Sequence, residues 1–120
     1  LKYFLAFALT LFSFQSFASI NCKAYTRFVD EYGSPQTLRT TLKVTFESPE
    51  QIRLEADIDQ VNFSLLAEKS TNENLMMITE GPLYKDGAIV RGSFDANGIM
   101  NLGKVSPNIV HKIECRKVAT

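Results

Sequence analysis

The chain has 120 residues, with 13 basic and 13 acidic side chains, one histidine, two cysteines and no tryptophan. Neither sign of charge is concentrated in any stretch, so the electrostatic footprint of a nucleic-acid or anionic-membrane binder is missing. The length suits one domain with a modest core.

The chain opens with Lys2, an apolar run from Tyr3 to Phe12, and then Ser16-Phe17-Ala18 ahead of Ser19. A basic start, an apolar stretch and small residues at −3 and −1 are the layout of a secretory signal peptide. The run is closed by Ser13, Gln15 and Ser16, too early for the roughly 20 apolar residues of a membrane-spanning helix. It also lacks the polar positions that a buried amphipathic helix would show every 3.6 residues. A lipoprotein would use Cys22, but Ser19-Ile20-Asn21 offers no small residue just before it. The expected organisation is therefore a signal peptide over 1–18, removed on export, and a single β-domain over 19–120. The single lysine of the leader suits a bacterial export signal, which places the mature chain in the periplasm or outside the cell. Loss of Lys2 leaves 12 basic and 13 acidic side chains, a net charge of −1.

From Ile20 onward the apolar period is two. Cys22–Phe28 reads as the first strand. In Leu38–Glu47, the residues Leu38, Thr40, Leu42, Val44 and Phe46 share one face, and polar side chains take the other. In Gln51–Asp59, Ile52, Leu54, Ala56 and Ile58 alternate with Arg53, Glu55, Asp57 and Asp59. Such alternation belongs to a strand with one buried and one wet face. Val61–Lys69, Asn74–Thr79, Ala88–Phe94, Ile99–Val105 and Ile109–Lys117 continue the series. Turn residues separate the runs: Gly33-Ser34-Pro35, Ser48-Pro49-Glu50, Ser70-Thr71-Asn72, Lys85-Asp86-Gly87, Asn97-Gly98 and Ser106-Pro107-Asn108. Asn97-Gly98 is the strongest hairpin signal, with Asp86-Gly87 similar; only Asp59-Gln60 separates Ile58 from Val61.

The pattern predicts an all-β fold: a small antiparallel meander of about eight strands, closed into a barrel or folded into a two-sheet sandwich. An outer-membrane barrel fits poorly, because the strands are short and their polar faces carry Lys43, Arg53, Glu55 and Asp57.

Cys22 and Cys115 admit one intramolecular pairing, and an exported chain meets an oxidising compartment. A bridge would close a loop of about 93 residues, worth roughly 4–5 kcal/mol in the chain-entropy model. Strand parity points both cysteines toward the apolar side, so the bridge would join the first and last strands across the core or along a barrel seam.

Few residues suggest chemistry. His111 shares the face of Ile109 and Ile113 and reads as a half-buried packing residue; a hydrolase would require it within hydrogen-bond reach of a carboxylate in a cleft. Glu55, Asp57 and Asp59 form a row that reads as a solvated strand face. Asn62-Phe63-Ser64 matches a glycosylation sequon but falls inside a strand. No metal site, cofactor motif or catalytic constellation is present in the sequence, so no enzyme activity is expected. Leu75, Met76, Met77 and Ile78 are apolar on both faces, which marks either a covered central strand or a candidate binding patch.

These readings lead to a small exported binding or interaction module whose partner is a protein or an envelope component. The alternative is a carrier of a small apolar ligand in the interior. Interior volume separates the two: Ala24, Ala56, Ala67, Ala88 and Gly92 would line a cavity if clustered, and would be filled against if they face large residues.

Overall fold

The computed structural model describes residues 19–83 and 86–118, and the expected signal peptide lies outside the described residues. The described residues form an all-β structure of nine strands in two antiparallel sheets. The strands are β1 (Ser19–Val29), β2 (Pro35–Thr41), β3 (Lys43–Glu47), β4 (Gln51–Ile58) and β5 (Val61–Glu68), followed by β6 (Asn74–Glu80), β7 (Asp86–Gly92), β8 (Ile99–Ser106) and β9 (Ile109–Val118). The first sheet has the order β2-β1-β9-β8 and the second β3-β4-β5-β6-β7.

The chain changes sheet twice, between β2 and β3 and between β7 and β8, and neither change is bridged by a strand ladder. The meander therefore folds over into a sandwich and does not close into a barrel. A small domain needs two apolar faces against each other to form a core, and the rows of the two sheets supply them. From the second sheet come Leu54, Leu65 and Met76 in one cross-strand row and Phe63 with Ile78 in the next. From the first come Cys22, Ala24, Met100, Ile113 and Cys115, all buried. Phe63, Leu65, Met76, Ile78 and Ile113 have no exposed surface, and burial of each such side chain stabilises the fold by about 1.5–3 kcal/mol.

Cys22 and Cys115 form a disulfide. Both point inward, as their parity requires, and they sit directly opposite one another in the β1–β9 pairing. The bridge thus ties the first and last strands side by side within one sheet.

Three local expectations need correction. The run Leu38–Glu47 is two strands, not one. Leu42 marks the crossing between sheets: its side chain is buried and its N–H donates to the Cys22 carbonyl. A register shift between Val44 and Phe46 then interrupts the alternation along β3. Both strands are sheet edges, so Leu38, Val44 and Phe46 are 40%, 53% and 50% exposed and not in the core. The Asp86-Gly87 turn is also displaced: Asp86 opens β7, Gly87 pairs with Thr79, and the turn falls on 81–83. A side chain at Gly87 would run into the Ile78 carbonyl oxygen, so the glycine permits a close approach of backbones and makes no turn. Finally, Asn97-Gly98 turns the chain between sheets and does not join a hydrogen-bonded hairpin. Only Gly98 has positive φ, at 77°, and Asp95 Oδ1 accepts from the N–H groups of Asn97 and Ile99.

The tight turn at Asp59-Gln60 is real, with Asp59 at φ 53°, a conformation that Asp tolerates better than most residues.

Candidate functional site

The sandwich is filled through its middle and open at both ends. Ala56 and Ala88 flank Phe63 and Ile78 in one row, so the small side chains there are packed against large ones. Ala24 lies beside Ile113. Ala67 behaves differently: its row is Ile52, Ala67, Asn74 and Gly92, the inner row nearest one end.

At that end lies a cavity of about 490 Å³. Ile20, Ile52, Ala67 and Phe94 give it an apolar wall, and Asn74 joins them. The first residue of β6 is thus an amide at a position where the alternation demands an inward side chain. Asn74 is only 3% exposed, and its buried Nδ2 has no hydrogen-bond partner in the protein among the described residues. A buried donor left unpaired costs about 1–3 kcal/mol, a penalty that a native fold seldom carries without a use. Charged groups line the same cavity. Lys69 bonds Glu47 at 2.7 Å, and Glu68 accepts from Gln51 Nε2 at 2.7 Å. Lys117 stands over the Phe94 ring, 5.9 Å from its centroid, a favourable cation–π placement. It has no carboxylate partner among the described residues.

The other end carries His111. The strand register places Thr26, His111 and Lys104 in one row across β1, β9 and β8, all on the inner face. Glu80, the last residue of β6, meets them from the opposite sheet. The Thr26 hydroxyl lies 2.9 Å from His111 Nδ1, and His111 Nε2 lies 3.0 Å from Glu80 Oε1. Lys104 pairs with the other carboxylate oxygen. Nε2–H donates to the Glu80 carboxylate, and the direction of the Thr26–Nδ1 bond follows the tautomer of the ring. Lys104, and to a smaller extent His111, hold the Glu80 carboxyl below its ordinary pKa, against a partial offset from burial. A shallow cavity of about 450 Å³ adjoins this group, walled by Ile58, Val61 and Ile109.

His111 is thus 1% exposed and fully partnered, not half-buried packing. The carboxylate that a hydrolase would require is present. The order hydroxyl, imidazole, carboxylate is also that of an activated nucleophile. Thr26, however, is only 2% exposed. The four side chains tie β1, β8 and β9 of one sheet to β6 of the other. Sequence reasoning missed Thr26, Glu80 and Lys104 because their meeting depends on which rows of the two sheets face each other.

The remaining sequence candidates are dispersed. β6 alternates, so Met76 and Ile78 are buried in the core while Leu75 and Met77 lie half-buried on the outer face. No single patch contains all four. On that outer face Leu66 and Leu75 lie between Arg53 and Arg91 in one row, and Met77 pairs with Ile89 in the next. Glu55 accepts from the Thr45 hydroxyl and Asp57 from Asn62 Nδ2, which accounts for two of the acidic row. Among the described residues no cluster able to hold a metal ion occurs, and there is no helix long and apolar enough to cross a membrane.

Compared with protein-family models, curated proteins and solved structures, the chain matches none of them.

Proposed function

We propose that the mature chain is an exported binding module, acting in the periplasm or outside the cell, that takes a small molecule into the cavity beside Asn74. The observation that carries this reading is the Nδ2 of Asn74, buried beside the apolar side chains of Ile20, Ile52, Ala67 and Phe94 and without a partner among the described residues. A ligand that supplied an acceptor there would remove the desolvation penalty and gain a hydrogen bond. A cavity of about 490 Å³ lies within the usual range for small-molecule sites, roughly 300–1,000 Å³. The signal-peptide pattern of residues 1–18 and the Cys22–Cys115 bridge support the oxidising compartment. The Thr26–His111–Glu80–Lys104 group is read as structural, and the protein as a binder and not an enzyme.

Native mass spectrometry of the protein recovered gently from its exporting host tests this reading. The expected spectrum shows a chain beginning at Ser19 with a co-purifying small mass, absent from the Asn74→Leu variant. A bare chain from every preparation, indifferent to that substitution, overturns it.

A second reading assigns the contact to a protein or envelope component at the outer face of the second sheet. Its support is Ile89, 63% exposed beside Met77 and near Arg91. Ile89→Lys would abolish capture of such a partner and leave small-molecule binding unchanged.

A further inference from the structure

Resting on the end-cavity reading, we infer that the ligand is a compact apolar carboxylate, its acid group held between Asn74 Nδ2 and Lys117 Nζ. Two independent features of the cavity lead to this class. The first is polarity. The unpaired group at Asn74 is a donor, so the ligand presents an acceptor to it. The second is charge. Of the four charged side chains that line the cavity, Lys69 and Glu47 are bonded to each other, and Glu68 falls by strand alternation on the outer face of β5, where Gln51 donates to its carboxylate. Lys117 remains, fixed over the Phe94 ring with no carboxylate beside it among the described residues. A neutral acceptor would satisfy Asn74 and leave Lys117 as it is. A carboxylate satisfies both, with a charge-assisted bond at each oxygen.

The same groups argue against a cationic ligand. An ammonium would meet the Asn74 donor and the Lys117 charge, and of the two acids in the lining Glu47 is paired with Lys69 and Glu68 falls on the outer face of β5. The rest of the molecule is specified by Ile20, Ile52, Ala67 and Phe94, which offer aliphatic and aromatic surface and no other buried unpaired polar atom. A short aliphatic chain meets these walls by dispersion and burial alone.

The probes that separate these cases are sodium octanoate, octanamide and octylamine, titrated calorimetrically into the whole chain as the exporting host processes it. Octanoate is expected to bind, octanamide about tenfold more weakly, and octylamine not measurably. Lys117→Gln should weaken octanoate about tenfold and leave octanamide within about twofold. Asn74→Leu should weaken both, with an unchanged or higher melting temperature showing that the fold is intact. Equal binding of octanoate and octanamide, indifferent to Lys117→Gln, would overturn the carboxylate assignment while leaving the end-cavity reading in place. Failure of all three probes would also overturn it, and the native mass spectrum would then decide the end-cavity reading separately.

Discussion

Glu80 is held ionised by Lys104 on one oxygen and His111 on the other, and so links the end of β6 to β8 and β9. Its folded pKa lies below the ordinary value of 4.5. A depressed carboxyl pKa adds stability that is fully present above the unfolded value and lost as pH falls through the folded one. The wild-type protein should therefore lose stability to acid below about pH 4.5 more steeply than Glu80→Gln does. At pH 7 that variant should be weaker by about 1–2 kcal/mol, a figure discounted for partial solvent access. Urea unfolding across this pH range measures both effects, and parallel curves would contradict this link. None of this was legible in the sequence beyond His111 itself. Parity correctly turned His111 inward, but a period of two cannot say which residue of the opposing sheet it meets.

Among the elements, β1 and β9 carry the strongest link. Their ladder runs from Ser19↔Val118 to Phe28↔Ile109 and is crossed by the Cys22–Cys115 bridge. Replacing both cysteines with alanine should cost about 2–4 kcal/mol, because the denatured chain regains the freedom of a 93-residue separation. An unchanged denaturant midpoint would contradict that role. β6 and β7 depend on Gly87 for their approach. Gly87→Ala should destabilise the protein by about 2 kcal/mol or more, and protection of the β6–β7 amides from hydrogen exchange should fall first. The strands themselves were largely readable, since alternation in Gln51–Ile58 and the turns around Ser48 and Ser106 survive in the structure. Two features hid the rest. Edge strands keep the alternating pattern without the burial, as Leu38, Val44 and Phe46 show. A glycine required by a neighbouring backbone also looks in sequence like a glycine required by a turn.

At the scale of the molecule, the sandwich divides its interior into a filled middle and two open ends. The disulfide, Phe63, Met76 and Ile113 fill the middle, so a carrier of the central-cavity kind has no space there. The end cavity is where packing is given up, and Asn74 is the residue at which the strand pattern and the core requirement disagree. The sequence offered no warning of this, because an asparagine at the start of a strand normally reads as the end of the preceding turn. Asn74→Leu should raise stability by about 1–2 kcal/mol, as the unpaired donor is replaced by an apolar side chain of similar size, while binding is lost. Gain of stability with loss of function is the signature of a site held polar for its ligand.

The most direct measurement of that claim is the side-chain amide resonance of Asn74 in a nitrogen-15 correlation spectrum during titration with octanoate. A saturable downfield shift and slowed solvent exchange of the Nδ2 protons are expected, with smaller changes around Lys117 and Phe94. An Asn74 amide that stays fixed while the probe is taken up elsewhere, or not at all, would contradict it.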